Sequence, residues 1–124
     1  MNRPIVTFLD NGIMCVEYPM HAAIKLRDVE DEYRQRLAIS ENKHPLLVKL
    51  HGMAAFEDKA QLFLGSEAHG AITSAAGIVL DPDAGYQELS RILLDLLQHY
   101  TRQHFEIKIF DNEKDATEWP MNYL

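Results

Sequence analysis

The residues best equipped for chemistry are His51, Asp81, Asp83 and Asp111, each following a short apolar run. In a parallel sheet, ligands sit outside the carboxyl ends of the strands, and turns following such runs gather on that one rim. Carboxylates spaced in this way could hold a hard cation such as Mg²⁺ through oxygen ligands, with His51 carrying a proton near neutral pH. A structural reading competes, because Asp83 and Asp111 also stand where helix caps belong. The six histidines show neither an HExxH motif nor a paired i, i+4 spacing, so no metal site and no cofactor are expected. Ser66, Ser74 and Ser90 lie in no GxSxG elbow, and neither Gly65 nor Gly70 opens a phosphate-binding loop.

The elements that must position these residues follow from hydrophobic period. Ile5 to Leu9 and Ile13 to Tyr18 flank Asp10-Asn11-Gly12, and a two-residue turn at Asn11 and Gly12 predicts an antiparallel hairpin. That turn pairs Leu9 with Met14, Thr7 with Val16 and Ile5 with Tyr18, and puts Cys15 on the other face as a small apolar filler. Ala22, Leu26, Val29, Tyr33 and Leu37 fall at helical spacing within residues 21–39. Pro45 to Leu50 reads as a buried strand, residues 54–68 as a shorter helix, and Ala71 to Leu80 as another buried strand. The next helix, Tyr86 to Thr101, has Asp83 as its expected N-cap. Its stripe of Tyr86, Leu89, Leu93, Leu96, Leu97 and Tyr100 is flanked by Ile92 and Leu94. At about 100° per residue the apolar sector spans about 200°, wider than burial on one side needs. Phe105 to Phe110 alternates as an edge strand does, and Asp111 or Asn112 then caps a last helix that Trp119 anchors.

Strands joined by helices need right-handed crossovers and hence parallel pairing. The expected fold is therefore α/β, a mixed five-stranded sheet with an N-terminal antiparallel hairpin followed by parallel strands. Its 124 residues fit one domain spanning 1–124. Twelve basic and nineteen acidic side chains give a net charge of −7, which opposes nucleic acid and anionic lipid as partners. Ten of those acids and only four of the bases lie in residues 63–124, so a basic partner would favour that half. No run approaches the roughly 20 apolar residues that cross a bilayer. Nothing near the start leads into a signal peptide, and the lone Cys15 forms no internal disulfide, so the cytoplasm is the expected location.

This order of elements resembles the STAS domain family, the anti-sigma factor antagonists and sulfate-transporter appendages, and most of all its small stand-alone bacterial branch. The resemblance covers nearly the whole chain. It is carried by Phe8-Leu9-Asp10-Asn11-Gly12-Ile13, His44-Pro45-Leu46-Leu47-Val48-Lys49-Leu50-His51-Gly52, Gly70-Ala71-Ile72-Thr73-Ser74-Ala75-Ala76-Gly77, and the segment from Lys108 to Trp119. It implies a regulatory module that docks a protein partner. In the antagonists a serine or threonine opens the helix after the third strand and is phosphorylated. Here that turn reads Met53-Ala54-Ala55-Phe56, without a hydroxyl, so kinase control of that kind is not expected. The CRAL-TRIO lipid-transfer domains share a related topology, which implies a ligand pocket between helices and sheet.

Three functions stay open. The leading one is a non-catalytic module that docks a protein on His51, Gly52, Met53, Ala54, Ala55 and Phe56, with a homodimer through Ile92 and Leu94. The second is a binder of a small apolar ligand or lipid, and the third a small enzyme using Asp81, Asp83 and Asp111 with His51.

Overall fold

Alternation along the strands puts Met14, Val16, Leu46, Val48 and Leu50 on one face of the sheet, and Cys15 and Leu47 on the other. In a computed structural model, which describes residues 3–81 and 83–124, the chain begins with β1 (Ile5–Phe8), β2 (Met14–Glu17) and β3 (Ala22–Ile24). It continues with α1 (Leu26–Ile39), β4 (His44–Leu50), β5 (Met53–Phe56), α2 (Asp58–Leu64), α3 (Glu67–Gly70) and β6 (Thr73–Leu80). It ends with α4 (Gln87–Thr101), β7 (Glu106–Phe110), α5 (Glu113–Glu118) and a 3-10 turn (Pro120–Tyr123). The main sheet has the order β1-β2-β4-β6-β7, antiparallel only between β1 and β2. This is the mixed five-stranded α/β sheet expected from the sequence.

Every crossover moves one strand further in the same direction, so right-handed connections put α1, α2 and α4 on one face. There α1 packs on α2, and α2 on α4. The other face is covered by α5 and the 3-10 turn, which lie on β6 and β4. Over β6 the approach is close: a Cβ on Gly77 would run into the carbonyl oxygen of Ala116 in α5. Alanine ordinarily stabilises a strand interior relative to glycine. Gly77→Ala should instead cost about 1–3 kcal/mol by overpacking, read as a lowered urea midpoint, and a raised midpoint would show that α5 does not press on this strand.

Three details depart from expectation. The hairpin turns through three residues, Asp10 to Gly12: the Gly12 N–H donates to Leu9 O (3.1 Å) and the Leu9 N–H to Ile13 O (2.9 Å). Asn11 Oδ1 accepts from the Ile13 N–H at 3.1 Å, and Gly12 takes φ 87° as the bulge residue of such a loop. One extra loop residue shifts the register by one, so Phe8 opposes Met14, Thr7 opposes Cys15 and Val6 opposes Val16.

Residues 22–24 and 53–56 are not helical but pair as a separate two-stranded parallel sheet, β3 with β5. Both runs are rich in alanine, a strong helix former, and only the tertiary pairing makes them strands. Pro45 does lie in a central strand, as expected, and is tolerated because the register with β6 is irregular between His44 and Leu46. Finally, α4 is rotated about its axis. It buries Ser90, Leu94, Leu97 and Thr101, because Ser90 Oγ is the acceptor for the Met53 N–H of β5 at 3.1 Å.

The outer edge of β1 is occupied by a side chain. Gln35 on α1 accepts from the Val6 N–H at 3.1 Å and donates to Pro4 O at 2.8 Å. It thereby fills two ladder positions on the edge opposite β2.

Candidate functional site

The carboxyl ends of β2, β4 and β6 are shaped by paired kinks. Beyond Glu17 and Leu50 the two parallel strands bend together and resume as β3 and β5. The Tyr18 N–H donates to Lys49 O at 3.1 Å and the His21 N–H to His51 O at 3.0 Å, so the chains stay joined through the bend. His21 (φ 53°), Gly52 (φ 79°), Gly85 (φ 83°) and Tyr86 (φ 58°) all adopt the left-handed region here. Two of them carry side chains, and such strained backbone persists only where the surroundings enforce it. His21 Nε2 donates to Ala84 O, and its ring meets Tyr86 edge-on at 5.2 Å between centroids. Neither His21 nor Tyr86 was marked by any motif. Their signal is conformational and exists only once three loops are brought together.

Of the residues expected on this rim, His51 is half-buried beside two acids: its Nε2 is 2.7 Å from Glu17 Oε2 and its Nδ1 3.9 Å from Asp81 Oδ2. Two other rim acids have basic partners of their own. Asp111 pairs with Arg91 at 2.7 Å and Glu113 with Lys49 at 2.6 Å. The hydrogen bond to Glu113 holds the Lys49 ammonium above its ordinary value.

Asp81 Oδ1 accepts from the Asp83 N–H at 3.0 Å, an Asx turn, so Asp83 does not cap α4, whose N-cap position belongs to Tyr86. Asn112 caps α5, its Oδ1 accepting from the Asp115 N–H at 2.9 Å. Pro82, in the middle of this rim turn, lies outside the described residues. A shallow recess of about 240 Å³ between Lys49, His51, Asp81 and Glu113 remains. Among the described residues, no three His, Cys, Asp or Glu side chains are arranged to share a metal ion.

The reason is topological. The ligand crevice of an open parallel sheet forms where the strand order reverses and helices part to opposite faces. The order here never reverses, and the charged side chains that the rim brings together form exposed ion pairs, which contribute little to stability.

The run expected to dock a partner is divided by the pleat of β5. Met53 and Phe56 are core residues, Gly52 is buried, and only His51, Ala54 and Ala55 reach the surface. Met53 and Phe56 therefore cannot form a docking surface. The pair expected at a dimer contact is divided too. Leu94 faces the core, because Ser90 on the same face is tied to β5, while Ile92 is exposed. The helix α2 begins at Asp58 behind Glu57, so the turn that opens it also lacks a hydroxyl. Cys15 is buried, and burial pushes its thiol above the ordinary value even though Lys49 pulls the other way, as suits a packing residue.

What α4 shows to solvent was not foreseen in full. Leu89, Ile92, Leu96 and Tyr100 are 38%, 58%, 48% and 41% exposed. At about 100° per residue they share a sector of about 80°. A family model described as a domain of unknown function (DUF7793) matches residues 7–124. No curated protein and no solved structure matches the chain.

Proposed function

We propose that this chain, which belongs to the DUF7793 family, is a non-catalytic protein-interaction module of STAS type whose contact face is the outer stripe of α4. The observation that carries this reading is the exposure of Leu89, Ile92, Leu96 and Tyr100 together. Single exposed apolar residues are ordinary on a protein surface, but a contiguous stripe marks an interface. The reading is supported by the order of sheet and helices, which is that of the resemblance drawn from the sequence. It replaces docking on residues 51–56, where the two large apolar side chains turn inward.

The occupant that fits best is a second copy of the chain. Leu89, Ile92 and Leu96 are spaced by three and then four residues, the seam along which two helices interdigitate. The exposed charges beside the stripe alternate in sign through Glu88, Arg91, Asp95 and Arg102, and Arg91 is already paired with Asp111. The second copy is therefore argued from the apolar seam, which a two-fold axis sets against its own equivalent. The rim enzyme is not favoured, because Asp111 is paired with Arg91, His51 is taken by Glu17, and Asp83 lies exposed. Nor is a lipid carrier: the chamber between α1 and the sheet is only about 50 Å³, against the roughly 150 Å³ that benzene occupies in an engineered core.

Sedimentation velocity tests this. The wild type should be a dimer in the micromolar range. Ile92→Glu and Leu96→Glu should each sediment as monomers, with urea midpoints, read at concentrations where the wild type is also monomeric, that move by no more than about 0.5 kcal/mol in equivalent stability. A wild type that stays monomeric into the millimolar range would exclude the second copy.

A further inference from the structure

We propose that the chamber between α1, the sheet and α3 is a binding site for a small neutral molecule carrying a hydroxyl group. Its walls are apolar at Leu46, Val48 and Phe105 and polar at Glu32 and His69. Those two polar residues are each only 2% exposed.

The guanidinium of Arg36 fixes the protonation of His69. Arg36 Nη1 donates to His69 Nε2 at 3.1 Å, and a guanidinium has no lone pair to offer, so the ring proton sits on Nδ1. Among the described residues that Nδ1–H has no acceptor, and Glu32 Oε2 has no donor within hydrogen-bond distance, His69 Nε2 standing 3.6 Å from it. Both residues line the chamber, and each carries one buried atom without a partner, a donor on His69 and an acceptor on Glu32, a costly arrangement unless an occupant satisfies them. A hydroxyl does both at once. Its O–H donates to Glu32 Oε2 and its oxygen accepts from His69 Nδ1–H.

Charge and size narrow the class. Glu32 and Arg36 lie 3.6 Å apart and balance each other, so a charged occupant would enter without a counter-charge. The chamber of about 50 Å³ exceeds the roughly 10–15 Å³ that one water requires, yet falls well short of the roughly 150 Å³ of a benzene site. Two sources of the hydroxyl satisfy these limits, a short-chain alcohol and water. Tyr18 stands in the wall of the chamber and also of an outer cleft of about 280 Å³ that reaches Asp28.

The test uses crystals of the intact protein, untreated and soaked in isopropanol, together with nitrogen-15 NMR of the His69 ring. The expected ring state is the Nδ1–H tautomer. An isopropanol oxygen within hydrogen-bond distance of Glu32 Oε2 and His69 Nδ1 assigns the site to an alcohol. In solution, isopropanol should then shift the Val48 methyl signals saturably, and Ala76→Val, which fills the chamber, should abolish that shift. A water at the same two partners in both crystals, with no saturable shift, assigns it to water. A chamber without density in either crystal overturns the proposal. So does an alcohol whose oxygen faces neither group, or an Nε2–H tautomer.

Discussion

Arg36→Met is expected to destabilise the protein by about 3–5 kcal/mol, the cost of breaking a buried ion pair from one side. Arg36 is fully buried, and its Nη1 serves His69 Nε2 and Thr73 Oγ1 (3.0 Å), while its Nη2 donates to Ile72 O at 2.6 Å. Burial lowers the pKa of the guanidinium, and Glu32 is the largest influence opposing that shift. Without Arg36, the Glu32 carboxylate is left in the core with no counter-charge, and the carbonyl of Ile72 loses its side-chain donor. Glu32→Leu added to Arg36→Met should recover a large part of the loss, because an apolar pair of similar volume has no charge to desolvate. Urea unfolding of wild type, single and double variants reads this directly. A single variant within about 1 kcal/mol of wild type would mean that water reaches this cluster.

The second large effect separates two neighbouring residues of one helix. Leu94→Ala should cost about 2–5 kcal/mol, as truncation of a fully buried leucine does. Measured at concentrations where the protein is monomeric, Ile92→Ala should fall within about 0.5 kcal/mol, since in a single copy its side chain is mostly in solvent. The same pair of midpoints decides the rotation of α4. Equal losses at both positions would place both side chains in the core and remove the exposed stripe on which the proposed function rests.

The main sheet was legible because its strands obey simple periods. Leu46, Leu47, Val48 and Leu50 form an apolar run bounded by turn residues, and residues 105–110 alternate, so strands and crossovers follow without tertiary information. Residues 22–24 and 53–56 failed because strand pairing at long range outweighed the local helical preference of alanine. The rotation of α4 failed for a related reason. A hydrophobic stripe takes no account of a hydroxyl such as Ser90, buried to satisfy a backbone N–H far away in sequence. The rim was legible in position but not in character: His51, Asp81 and Asp111 do stand at strand ends. Whether they form a crevice depends on strand order, which periodicity alone does not supply. The Arg36, Glu32 and His69 cluster was invisible, since Arg36 and Glu32 lie in a charge run that reads as a solvated helix face.

The amide of Gln35 on the rim of β1 imitates an incoming peptide unit, presenting its own C=O and N–H where a foreign polypeptide would dock. Sheet borders left open recruit further chains and grow into fibres. With that berth taken by a residue of α1, lengthening of the sheet is discouraged on this side.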